Sequence, residues 1–181
     1  MLRARRCASR RGTFVDWGKA YCASNGIAAE GTWRTLSKDE WTYLFFTRKA
    51  STVSGTADAR YAKATVNDIK GIILLPDTYT HPEGVSALTS INTASAAFTA
   101  NTYDLANWAK IESAGAVFLP AAGYRFGSDV YDVGGYGYYW SSSASGGSGA
   151  FDVSFNGSGV DPDYDGSRGN GFSVRLVTDC E

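Results

Sequence analysis

The sequence predicts a single α+β domain in which two short helices are joined to short strands by long polar loops. Three observations carry this expectation. Two segments set apolar residues at helical spacing beside recognisable helix-end signals. The other apolar residues come in short beats separated by Gly, Pro, Asn and Asp. Aromatic residues make up 14% of the 181-residue chain and Gly reaches 21, a balance that suits a loop-rich, β-containing binding domain rather than a helical bundle.

Along the chain, residues 16–31 are expected to form a short irregular or helical piece ending near Gly26. Ser37 followed by Glu40 reads as a capping box. Behind it, Trp41, Leu44 and Phe45 mark one apolar face, so a helix is predicted over residues 38–48. Residues 58–66 and 69–75 read as two strands joined by a hairpin turn at Asn67-Asp68. Pro76 stops the second. Residues 77–101 are polar and loop-like, with a turn at His81-Pro82-Glu83-Gly84. A second helix is predicted over 102–114, with Leu105, Trp108 and Ile111 on one side and Gly115 closing it. A strand broken at Pro120 follows, then a Gly/Tyr stretch over 131–139 that leads into Tyr139-Trp140-Ser141-Ser142-Ser143.

The last 40 residues differ in kind. Val153 and Phe155 alternate as strand residues do, and so do Val174 and Leu176. Between such beats almost every residue is Gly, Ser, Asp or Asn, and residues 144–171 hold eight Gly. Such a stretch in isolation is a mobile linker. The closing Phe172-Ser173-Val174-Arg175-Leu176-Val177 pins it, so a set of surface loops held at both ends is expected.

Charge and composition exclude several classes of function. Lys+Arg number 17 against 18 Asp+Glu, a formal net charge of −1, which argues against a general nucleic-acid binder. No apolar run approaches the ~18–20 residues that span a bilayer. One His and three Cys exclude most His-rich and Cys-rich metal sites. The balance hides a gradient. Arg3, Arg5, Arg6, Arg10 and Arg11 crowd the start, whereas residues 111–181 carry nine acids against Arg125, Arg168 and Arg175. No apolar h-region follows the Arg-rich start, so it is not a signal peptide. Residues 1–14 are expected to be a disordered or aberrant N-terminus, with the domain over 15–181. Cys7, Cys22 and Cys180 form no metal-ligand spacing; Cys22 and Cys180 pair only if the domain's ends meet, and free thiols fit an odd count equally well.

Five pieces occur in order: Gly31-Thr32-Trp33-Arg34-Thr35-Leu36, Glu40-Trp41 with Tyr43-Leu44, Leu119-Pro120-Ala121-Ala122-Gly123-Tyr124-Arg125, Tyr139-Trp140-Ser141-Ser142, and Gly171 to Val177. Together they resemble the Fibrobacter succinogenes major paralogous domain. More closely, they resemble the variable target proteins of diversity-generating retroelements from gut Bacteroidales and their phages. The resemblance covers roughly residues 15–178. It implies a C-type-lectin-like fold, of the kind shared with formylglycine-generating enzymes, with two helices and short twisted antiparallel strands. It also implies a hypervariable region at about 141–174, written by a reverse transcriptase that miscopies adenines. Asn-like codons then become Asn, Asp, Ser, Gly, Tyr, Ala or Phe but not Lys, Glu, Gln, Trp or Met, and residues 141–174 contain none of those five. Similar domains carry more sequence before the segment matching Asp16-Trp17-Gly18, so a truncated copy or an altered gene start is expected here.

The implied function is non-enzymatic: a display protein whose C-terminal loops bind a variable protein or cell-surface glycan, with no cofactor, no metal and no nucleic-acid partner. The alternative is a non-diversified adhesion or structural module of the same fold. A cell-surface, secreted or phage-particle location and a homo-oligomer follow from the family alone. In this scheme Trp140, Val153, Phe155, Val160, Val174 and Leu176 are buried and hold the backbone, each worth roughly 1.5–3 kcal/mol. Residues between them face solvent and change at little cost. The candidate contact residues are Ser145, Ser148, Asp152, Ser154, Asn156, Ser158, Asp161, Asp163, Tyr164, Asp165, Ser167 and Asn170. Tyr164 is the best anchor, because Tyr offers large contact area for little entropy. Tyr136 and Tyr138 border the same surface, the Asp residues favour a basic partner, and Phe151 and Phe172 fit either core or surface.

Other motifs weigh less. Asp161-Pro162-Asp163-Tyr164-Asp165-Gly166 resembles half of an EF-hand loop, but the twelfth position is Phe172 rather than Glu; a solvated acidic loop is expected. His81 has no nucleophile assignable to it and sits in a turn. The three Cys do not match the Cys pair of the formylglycine-generating enzymes. Arg125 and Arg175 are read as structural hydrogen-bond donors, and Trp33, Trp41, Trp108 and Trp140 as core rather than a sugar-stacking platform, with Trp17 undecided.

Overall fold

The structure, a computed structural model, describes residues 33–178. The expectations for the Arg-rich start, the 16–31 piece, Trp17, Cys7, Cys22 and Cys180 lie outside those residues.

The described residues form an α+β arrangement, with two α-helices and mostly small antiparallel sheets. Strands β2 (Tyr61–Val66) and β3 (Ile69–Leu74) form the predicted hairpin. Asn67 and Asp68 both take the left-handed conformation, at φ 47° and 65°, which a two-residue turn with right-handed twist requires and Asn and Asp tolerate. Strand β4 (Thr102–Tyr103) pairs parallel to β2, and β5 (Val117–Pro120) antiparallel to β3, giving the order β4-β2-β3-β5.

This sheet is buried on both faces, which is why Tyr61, Ala62, Lys63 and Ala64 are all buried in succession. One face carries Ala62, Ile73 and Leu75 against Leu88, Tyr103 and helix α2 (Leu105–Ser113). The other face carries Tyr61 and Ile72 against helix α1 (Lys38–Thr42) and a second, three-stranded sheet. No helix among the described residues is long and apolar enough to cross a membrane.

The capping box forms as predicted. Ser37 Oγ accepts from Glu40 N at 3.2 Å, and Glu40 Oε2 accepts from Ser37 N at 2.8 Å. After Thr42 the helix widens into one π turn, Tyr43–Thr47, that keeps Phe45 beside Trp41. Both are fully buried. In α2, Asp104 caps the start through Asn107 N at 2.7 Å. Of its predicted apolar side, Ile111 is buried and Trp108 half-buried against Phe118, but Leu105 is 60% exposed because the helix leaves its first turn over solvent.

The C-terminal third departs most from expectation. Residues 144–171 are not a set of loops. They form most of a sheet of β8 (Gly137–Ala144), β9 (Gly149–Phe155) and β10 (Val160–Ser167), with β9 central. Val153 and Phe155 supply the burial, at 0% and 1% exposure, and backbone ladders with both neighbours supply the rest. A bulge between Asp161 and Tyr164 absorbs Pro162, which has no N–H for the ladder. A small hairpin, β6 (Tyr124–Phe126) with β7 (Asp129–Tyr131), folds beside this sheet. The last strand, β11 (Leu176–Val177), pairs with β1 (Arg34–Thr35).

Three core expectations are corrected. Val174 and Leu176 are exposed, because β11 makes a two-stranded pair rather than entering a covered sheet. Trp140 and Val160 are only half-buried, Trp140 lying on the outer face of β8 and Val160 at the sheet's end. Trp33 stands 37% exposed.

Candidate functional site

The described residues of the five pieces come together around the three-stranded sheet. Arg34 grips Glu40 with two hydrogen bonds, 2.7 and 2.8 Å, tying the first piece to the second. That pairing and the capping bonds hold the Glu40 carboxyl below its ordinary pKa. Trp41 Nε1 donates to the Trp140 carbonyl at 3.4 Å, Ser142 N to Leu36 O at 2.8 Å, and Lys38 N to Ser143 Oγ at 3.0 Å. Tyr139 Oη donates to Pro120 O at 2.9 Å. Arg125 and Gly171 exchange backbone bonds, and Trp140 N donates to Ser173 O. The pieces are therefore the seams of one frame, and β9 and β10 are the segment the frame holds.

Strand register sorts the candidate residues by face. Directly paired residues share a face, so Tyr138, Ser154 and Asp161 lie in one row and Trp140, Asp152 and Tyr164 in the next, on the outer side of the sheet. The inner side carries Tyr139, Val153 and Phe155 toward α1, together with Phe151, over whose ring Lys38 Nζ sits at 4.7 Å. Ser145 and Ser148 lie in the turn before β9, and Asn156 and Ser158 in the turn after it, roughly 20 Å away along a seven-residue strand. No small ligand touches both turns; only a macromolecule spans them.

An aromatic layer covers part of the outer face. Phe172 stacks on Tyr138 at 4.7 Å and packs on Trp140 at 4.4 Å, while Tyr124 meets Tyr138 edge-on at 5.5 Å. Tyr136 stacks on Tyr138 at 5.7 Å. Beside this layer lies a cavity of about 190 Å³. Four sequence candidates line it, namely Tyr164, Asp165, Ser167 and Asn170, with Asp132 and Tyr124 closing the other side. Tyr164 is 47% exposed, as an anchor must be. Burial and the charge of Asp132 push the Tyr138 phenol up to about 12.

Asp152 corrects the expectation of a solvent-facing contact residue. It is fully buried, and neither carboxyl oxygen has a hydrogen-bond partner among the described residues. It sits in the central strand, and its outer face is roofed: a Cβ built on Gly166 meets Asp152 Oδ2 and the Phe172 ring, each at 2.6 Å. Burial pushes its pKa up to about 8, and the neighbouring Asp161 and Asp165 charges push the same way.

Asn156 is half-buried and shapes its own turn. Its Oδ1 accepts from Ser158 N at 2.7 Å and Gly159 N at 3.0 Å, and its carbonyl accepts from the buried Lys63 ammonium. Lys63 also donates to Ala94 O, and burial lowers its pKa to about 8. Ser154 is half-buried; Ser148, Ser158, Asp161, Asp163, Asp165 and Ser167 are exposed. Ser145 Oγ donates to Asp165 Oδ1 at 2.5 Å.

The half-EF-hand motif runs as strand β10, not as a loop, so Asp161 faces outward and Asp165 falls on the other side of the sheet. Among the described residues no group of three or more His, Cys, Asp or Glu side chains is placed to hold a metal ion. Both ring nitrogens of His81 are engaged, by Tyr79 Oη and Ser86 O, each at 3.1 Å. Arg125 donates its Nε to Gly127 O within its own hairpin. Arg175 is exposed beside a larger apolar cavity of about 510 Å³, lined by Trp33, Leu44, Val117 and Leu176 and by none of the candidate contact residues.

Sequence reasoning missed Tyr124 and Asp132 as site residues. Both precede the degenerate stretch, and only the β6–β7 hairpin carries them to the sheet. Compared with protein-family models, curated proteins and solved structures, the chain matches none.

Proposed function

We propose that this protein is a non-enzymatic display domain with a C-type-lectin-like fold, whose C-terminal sheet and turns are diversified by a retroelement to bind protein ligands. One observation carries the reading. The degenerate segment is a structured sheet rather than slack chain, and its exposed side chains, among them Asp161, Asp163, Tyr164 and Ser167, make few bonds to the frame beneath them. A rigid frame with exchangeable side chains is the arrangement of a paratope.

Asp152 supports the same reading from the opposite direction. A buried carboxylate without a partner is a poor choice for a fixed core. It is an ordinary product of adenine substitution at an Asn-like codon, which leaves Asp whatever the local energetics.

Sequencing the locus on many copies from one source population tests the proposal. The expected result is substitution confined to codons for residues about 143–172, at positions that are adenine in a nearby template repeat beside a reverse transcriptase. Changes scattered along the chain, with no template repeat, favour the non-diversified adhesion module instead.

A further inference from the structure

We infer that the cavity beside the aromatic layer is a pocket for a cationic head group, and that its occupant is an exposed arginine of a protein ligand. This rests on the display reading above and names the chemistry recognised by that face. The cavity has the volume of about six liquid waters, enough for one guanidinium and its stem.

Its walls supply both attractions that a guanidinium uses. The half-exposed Tyr164 offers a ring face that no other aromatic ring among the described residues covers, and Asp132 offers a carboxylate. Asp165 also borders the cavity, but its carboxylate falls on the other face of the sheet, where its Oδ1 accepts from Ser145 Oγ. No lysine or arginine lines it among the described residues.

A second observation points the same way. Asp152, buried and unpartnered, lies directly behind Gly166 and Phe172, two of the lining residues. A cation in the pocket supplies the opposite charge that this carboxyl lacks. The ionisable neighbours of Asp152 are Asp161, Tyr164 and Asp165 from β10 and Tyr138 from β8; none is cationic. Arginine keeps its charge throughout the accessible pH range. Binding therefore strengthens as pH rises and Asp152 releases its proton.

The test uses the tripeptide acetyl-Gly-Arg-Gly-amide against its citrulline counterpart, which has the same shape and no charge, and against methyl mannoside. Titrations are followed by calorimetry and by the NMR shifts of the Tyr138 and Phe172 ring protons. The arginine peptide is expected to bind about tenfold more tightly than the citrulline peptide and to shift those rings. Asp132→Asn and Tyr164→Ala each weaken it several-fold while the melting temperature holds. Its affinity rises between pH 6.5 and 9 in the native protein and stays flat in Asp152→Asn. Equal affinity for citrulline, or no ring shift with either peptide, overturns the inference. Ring shifts with methyl mannoside alone overturn it in favour of a glycan and leave the display reading standing. A locus without diversification overturns the display reading and leaves the cation result to be read by itself.

Discussion

Replacing Asp152 by Asn is expected to stabilise the protein at neutral pH. The carboxyl has an ordinary value of 3.8 and is pushed up to about 8 in the fold. Between those values the folded state keeps a proton that the unfolded chain releases. Stability therefore falls as pH rises from about 4 and levels off above about 8. At pH 7 the unfolded carboxyl is about three pH units past its midpoint, so the proton held in the fold withdraws roughly 4 kcal/mol relative to pH 4. Asn has nearly the same size and cannot ionise, but it brings an unpaired amide to the same dry site. The net gain at pH 7 is about 2–4 kcal/mol, or roughly 5–15 °C in melting temperature for a chain of this length. At pH 4 the two proteins match to within about 1 kcal/mol. Urea unfolding of both at pH 4, 7 and 9 measures this directly. A difference that does not change with pH, or an Asp152→Asn variant less stable than the native protein at pH 7, refutes the burial and isolation of this carboxyl.

Three further outcomes are expected. Trp41→Ala removes a fully buried side chain at the junction of α1 and both sheets and costs about 3–5 kcal/mol, read from the urea midpoint. Gly137→Ala places a methyl inside the Phe155 ring and costs about 1–3 kcal/mol; adding Phe155→Leu restores part of the loss, as measured by thermal melting. Replacing Asp163, Tyr164 and Asp165 together by Ala changes stability by less than about 1.5 kcal/mol, each being an exposed side chain, and abolishes ligand capture in a binding assay.

Legibility followed the range of the physical signal. The β2–β3 hairpin was readable because Asn67-Asp68 is a local turn between two apolar runs. Helix α1 was readable because Ser37 and Glu40 cap it within four residues. The π turn at Tyr43–Thr47 has no such local mark. Only the Val153/Phe155 alternation marks β9, and β10 carries no mark, because Gly, Asp and Ser have low strand propensity; the pairing of both is set by contacts with β8 and α1 rather than by their own composition. Parity along the chain correctly put Asp152 on the face opposite Val153. The error was to take that face for solvent, when Phe172 and Gly166 cover it. The same reliance on alternation put Val174 and Leu176 in a core against which, from β11, it is Val177 that packs. Of the site, Tyr164, Asp165, Ser167 and Asn170 were legible from the degenerate stretch. Asp132 and Tyr124 were not, because a separate hairpin brings them in.

On the display reading, a fixed frame holds exchangeable side chains on one sheet. Saturation substitution of residues 141–174, read by protease resistance of the displayed protein, tests it most directly. Broad tolerance is expected at Ser148, Ser158, Asp161, Asp163, Tyr164 and Ser167. Intolerance is expected at Val153 and Phe155, and gains in resistance for neutral residues at Asp152. Losses at Asp163 and Tyr164 as large as those at Val153 and Phe155 would contradict it.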